Sequence, residues 1–138
     1  VYAFGVTAIS QLQTAYAQNG RDIQEYIRCI EAGKPYTYRG YELTTQEQMV
    51  REVIEQMMCN YHFSWSEIAA RLGCTPAEVK AATNYDEQKL KEMEADGLIQ
   101  LREDSISMTQ TGSPFVRNVV ATLDPLMGHT DKKFSKPI

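Results

Sequence analysis

The sequence predicts a mainly α fold, a helical bundle containing a winged-helix-like arrangement of three helices and a β-hairpin. Helical periodicity recurs along the chain with caps and glycine stops at its ends, and two β-forming pieces, LIQL and ISM, flank the turn REDS. The 138 residues, 43% hydrophobic and 23% charged, suffice for one compact domain or a domain with an attached segment, not for two independent cores.

The opening, VYAFGVTAIS, is apolar and begins without Met. It reads either as a buried strand or irregular apolar segment, or as a cut through a longer protein. From Asp22 to Ile30, the residues Ile23, Tyr26, Ile27 and Ile30 fall on one face of a short helix ended near Gly33 and Pro35. YTYRGYEL, Tyr36 to Leu43, reads as an extended connection with a sharp turn at Gly40 rather than a regular element. Thr44 followed by Glu47 is the better cap for the next helix, whose stripe is Met49, Val50, Val53, Ile54, Met57 and Met58.

The helix carrying Ile68, Ala69 and Leu72 stops at Gly73, where a left-handed cap is expected. The next has Thr75 as N-cap, Pro76 at the first position and Glu78 at the third. A third, from Asp86 to Asp96, presents Leu90 and Met93 and stops at Gly97. The last is signalled by Gly112, Ser113 and Pro114 and carries Phe115, Val116, Val119, Val120, Leu123 and Leu126 or Met127. His62 lies between helices, and His129 falls in a tail with Lys132, Lys133 and Lys136.

Charge and motifs narrow the function. Lys and Arg number 14 against 18 Asp and Glu, a net charge of −4, which provides no broad positive field for a phosphate backbone. The candidate recognition helix offers only Lys80, and the hairpin turn sets Glu103 and Asp104 beside Arg102, so nucleic-acid binding is disfavoured. Three cysteines without a secretory pattern fit a reducing, cytoplasmic setting, and no apolar run is long enough to span a membrane. Cys29, Cys59 and Cys74 lack zinc-ligand spacing, the methionines fit core packing, and neither histidine has a ligand partner at recognised spacing. With no nucleophile elbow, phosphate loop or paired carboxylates, no catalytic or metal residue is assigned.

The segments GVTAISQLQTAYAQN, RGYELT, MCNYHF with its Cys59-Asn60-aromatic pattern, EADGLIQL, TGSPFVRNVV and FSKPI follow one another in an order and spacing that resembles the C-terminal part of the oxygen-independent coproporphyrinogen III oxidases. These are radical S-adenosylmethionine enzymes of haem biosynthesis. The likeness implies that 1–20 ends an upstream radical domain, 21–43 is a helix and extended linker, 44–127 a helical winged-helix-like domain covering the barrel opening, and 128–138 a tail. The tail departs from the family after Asp124, where PLMGH stands.

It further implies that the parent oxidatively decarboxylates two propionates of coproporphyrinogen III to vinyls, using a [4Fe-4S] cluster and S-adenosylmethionine. The CxxxCxxC cluster ligands lie upstream, so no cofactor is expected in this piece, which is expected to be inactive alone. By the same likeness Ile9 contacts a second S-adenosylmethionine or the nearby active-site region, with Thr7 standing where the family often has Ser. Tyr16, Gln18 and Asn19, in a YAQN turn, lie near the substrate cavity. Arg39 and Arg117 are candidate propionate partners, because a guanidinium fork grips a carboxylate at two points. The upstream domain in cis and the porphyrinogen are the expected partners, with room for oligomerisation through former-interface surface. A winged-helix nucleic-acid module and a non-catalytic protein-interaction domain are the alternatives.

Overall fold

The computed structural model describes residues 1–127. His129, the tail lysines and FSKPI lie outside them. Among the described residues the chain is mainly α, with six α-helices and two three-stranded antiparallel sheets. It divides into two compact units, the first Val1–Thr45 and the second beginning at Gln46.

In the first unit β1 (Ile9–Gln11), β2 (Ala15–Asn19) and β3 (Thr37–Glu42) pair in that order, and α1 (Ile23–Glu31) connects β2 to β3. α1 starts where expected because the Asp22 carboxylate accepts from the Glu25 N–H at 2.9 Å. It ends at Gly33, whose φ of 64° relieves the steric cost of the left-handed turn. Its apolar face is open: Ile23, Ile27 and Ile30 are 61%, 43% and 53% exposed.

Three expectations fail in this unit, the first two for one reason. The Tyr36 to Leu43 connection is instead mostly strand β3, and YAQN is strand β2 rather than a turn. Gly40 does not adopt a positive φ; it pairs with Ala17, and Thr37, Tyr38 and Tyr41 around it suit a pleated strand. Pairing between segments distant in sequence decided what local composition could not. The buried-strand reading of Val1 to Ser10 fails likewise: Val1, Tyr2 and Phe4 are exposed and only the end of the segment enters β1.

The second unit contains α2 (Thr45–Asn60), β4 (His62–Ser64), α3 (Trp65–Leu72), α4 (Pro76–Ala82), α5 (Glu87–Ala95), β5 (Ile99–Leu101), β6 (Ser105–Met108) and α6 (Val116–Leu123). The predicted stripe of α2 buries Met49, Val50, Val53 and Met57 against Ile68, Val79, Leu90 and the α6 residues Val116, Val119, Val120 and Leu123. Gly73 is left-handed with φ 68°, and Thr75 with Glu78 forms the expected reciprocal capping box. The hairpin β5–β6 forms as expected, but β4 adds an unforeseen third strand, giving the order β4-β6-β5. α6 stops at Leu123, so Leu126 and Met127 lie beyond it and are exposed, as is Phe115 in the preceding 3-10 turn.

The acidic hairpin turn has a structural cause. Asp104 accepts from the hydroxyls of Ser64 and Ser66 and from the Ser66 N–H, while its carbonyl accepts from the Trp65 N–H. It thereby ties the turn to the first residues of α3. These hydrogen bonds, led by that from Ser66, hold its carboxyl below the usual carboxylate range.

Candidate functional site

Residues that pair directly across antiparallel strands share a face of the sheet, and residues two apart on one strand share it too. The register Ile9↔Gln18 and Gln18↔Arg39 therefore lays Ile9, Gln18 and Arg39 in a row across β1, β2 and β3. A second row, Gln11, Tyr16 and Tyr41, runs beside it on the same face. Together Ile9, Tyr16, Gln18, Arg39, Gly40 and Tyr41 line an open pocket of about 450 Å³. Four of the residues predicted from sequence are thus assembled by strand register alone.

The central contact fixes Arg39: its Nε donates to Gln18 Oε1 at 2.7 Å. That bond uses the side edge of the guanidinium and leaves the end-on pair of Nη groups for a carboxylate. Ile9, 56% exposed, contributes an aliphatic surface beside it. Tyr16 and Tyr41 add amphipathic rings.

The loop before β1 is held under local strain. Gly5 and Thr7 adopt φ of 99° and 59°, the second unusual for a β-branched residue. Thr7 N–H donates to the Gly20 carbonyl at 2.8 Å, Asn19 N–H to the Ala8 carbonyl at 2.9 Å, and Asn19 Nδ2 to the Gly5 carbonyl at 2.8 Å. Asn19 lies beyond a register irregularity at Gln18/Asn19. Its amide therefore anchors the loop that precedes Ile9, and the residue borders a separate polar pocket with Gln18, Arg21 and Arg39.

Arg117 belongs to the second unit. It is exposed on α6, beside the buried Val116, and lines neither pocket. Sequence reasoning assigned no role to Arg21, whose only available signal was the turn that follows β2, and Tyr41 joins the face through the pairing of β3 with β2. In the second unit Lys80, the one cation on α4, lies 3.8 Å from the centre of the Tyr85 ring.

The cysteines do not form a cluster site. Among the described residues no group of three or more His, Cys, Asp or Glu is placed to hold a metal ion, and Cys29 belongs to a different unit from Cys59 and Cys74. No helix among the described residues is long and apolar enough to cross a membrane.

Residues 43–115 match the family described as HemN C-terminal domain. Over 134 residues the chain is 31% identical to the oxygen-independent coproporphyrinogen III oxidase of Helicobacter pylori strain ATCC 700392 / 26695, covering 97% of this chain and 29% of that protein. The enzyme of the same name from Thermostichus vulcanus is 31% identical over 98% of this chain and 41% of its own length. Among solved structures, the coproporphyrinogen III oxidase (HemN) of Escherichia coli, described as a radical SAM enzyme, superposes with a TM-score of 0.71 at 30% identity, over 89% of this chain and 28% of that one. The chain therefore spans well under half the length of these relatives. With the match extending over more than half of its residues, this chain belongs to the HemN C-terminal domain family.

Proposed function

We propose that the chain acts as the C-terminal part of an oxygen-independent coproporphyrinogen III oxidase, in which residues 1–20 end the upstream radical domain and the helical unit covers the active-site opening. In the reaction each of two propionates loses a hydrogen atom, carbon dioxide and one further electron, leaving a vinyl group. The one-electron chemistry is supplied by a [4Fe-4S] cluster and S-adenosylmethionine. Its cluster ligands are assigned to the upstream part, since the cysteines here do not fit that role.

The observation that carries this reading is the row Ile9, Gln18 and Arg39 on one sheet face, flanked by Tyr16 and Tyr41. Such a face suits a tetrapyrrole macrocycle edged with carboxylates: the aliphatic and aromatic groups exclude water along the ring, and the Nη groups of Arg39 address a carboxylate. Ile9 offers a non-polar contact to S-adenosylmethionine, one wall of a site otherwise held upstream. Gln18 positions Arg39. Asn19 acts indirectly by fixing the loop before Ile9. Arg117, on the second unit, is a separate propionate candidate. The three helices α3, α4 and α5 followed by β5–β6 support a winged-helix-like reading of the second unit, employed as a cover.

The test uses the full-length, anaerobically reconstituted protein. Wild type is expected to release two molecules of carbon dioxide per coproporphyrinogen III, and Arg39→Ala to raise KM by about tenfold with cluster content unchanged. A wild type that releases none, or an Arg39→Ala variant with unaltered KM, would contradict the proposal.

A further inference from the structure

We infer that Arg21 is a second substrate-positioning residue and that, with Arg39, it grips a carboxylate that remains on the product. The inference rests on the oxidase reading above and names the substrate group that one side of the site receives.

The polar pocket that adjoins the Ile9 face encloses about 520 Å³ and is lined by residues including Gln18, Asn19, Arg21, Asp22, Tyr36 and Arg39. Its two cations come from different places in the chain, Arg21 from the turn after β2 and Arg39 from β3. Among the described residues neither is in an ion pair. The one carboxylate in the lining, Asp22, is engaged in capping α1. Two guanidiniums thus face a single, already committed carboxylate, and the pocket is left with an excess of positive charge.

The wall of the pocket is built to hold this arrangement. Gly20 is buried, and a Cβ there would stand 2.5 Å from the Tyr36 hydroxyl and 2.6 to 2.8 Å from its ring, so that the phenol end rests on the backbone of the turn that carries Arg21. The Gly20 carbonyl is itself fixed by the Thr7 N–H at 2.8 Å. Arg39 is restricted by its Nε bond to Gln18, which leaves an end-on grip, whereas Arg21 retains its whole donor fork. A carboxylate accepts from both.

Charge then decides which carboxylate. Loss of carbon dioxide turns an anion into a neutral molecule. Two guanidiniums that stabilise the anion in the ground state lose that stabilisation on the way to the transition state, which slows decarboxylation. A doubly gripped propionate is therefore a poor reacting group and a good handle. The two-arginine pocket anchors a retained propionate, while the reacting ones lie elsewhere.

The experiment measures equilibrium binding to the full-length protein of three stable oxidised porphyrins: coproporphyrin III with four carboxylates, protoporphyrin IX with two, and protoporphyrin IX dimethyl ester with none. Arg21→Ala is expected to weaken both acids by about tenfold, leave the ester unchanged and flatten the salt dependence of acid binding, with Arg21→Lys recovering part of the loss. Because Arg21 is exposed and makes no hydrogen bond among the described residues, the fold is expected to survive. Unchanged acid affinity would overturn the inference. So would a loss confined to coproporphyrin III, which would put the grip on a departing carboxylate, or an equal loss for acids and ester, which would make Arg21 structural. Failure of wild type to bind any of the three would likewise overturn the inference, whereas failure of wild type to release carbon dioxide from coproporphyrinogen III would overturn the oxidase reading on which the inference stands.

Discussion

The two units differ in where they keep their apolar side chains. Every buried hydrophobic residue among those described lies at Met49 or later, while in the first unit Val1, Tyr2, Phe4, Ile23, Ile27 and Ile30 are all exposed. The second unit has a core, and the first is a sheet and a helix held by backbone pairing and local hydrogen bonds. Small sheets without a packed face are marginal in water. We propose that the first unit obtains its packing from the remainder of the longer protein, and that the surfaces left open here include the one that meets substrate. A region that stabilises itself can serve as a cover; a region that carries a site can leave its apolar surface for a neighbour.

Core truncation separates the units most strongly. Phe63→Ala, at a side chain 2% exposed, is expected to cost the chain about 3–5 kcal/mol in denaturant melts. Ile27→Ala on α1 should cost under about 0.5 kcal/mol. Equal losses would contradict a core confined to the second unit.

A smaller contrast comes from glycine. A Cβ at Gly112 would stand 1.9 Å from the Leu98 carbonyl oxygen and closer than 3 Å to two more backbone atoms, a clash no side-chain rotation relieves. Gly112→Ala is expected to destabilise by about 1–3 kcal/mol. At Gly20 the clash is with the Tyr36 ring, which can swing away. Gly20→Ala should therefore leave the melt of the second unit unchanged and weaken carboxylate binding, as measured by titration with the acids above.

The smallest effect is a pH dependence in the second unit. Asp104 has its folded pKa lowered by the hydrogen bonds from Ser66 and Ser64. Its contribution to stability is thus fully present above the unfolded carboxylate value, near pH 4, and is lost as pH falls through the lower folded value. Asp104→Asn should flatten the acid limb of a stability–pH profile below about pH 4. An identical limb in the variant would remove Asp104 from this role.

What the sequence disclosed follows the same division. The capping box of Thr75 and Glu78, the left-handed Gly73 and the stripe from Met49 to Met57 depend on residues a few positions apart, and all were legible. β2, β3 and β4 were not, because each is defined by a partner far along the chain: Arg39 pairs with Gln18, and Phe63 with Ile106. Local signals at Gly40 pointed to a turn until β2 supplied the pairing. The candidate site shares this history. Ile9, Tyr16, Gln18 and Arg39 were singled out by family likeness, but only the strand register reveals that they share a face, and Arg21 carried no motif at all.

Hydrogen exchange on the isolated chain compares the two regions directly. Amides of α2 and β6 are expected to exchange orders of magnitude more slowly than those of β1, β2 and β3, with the latter gaining protection in the full-length protein. Equal protection of both regions in the isolated chain would contradict that expectation.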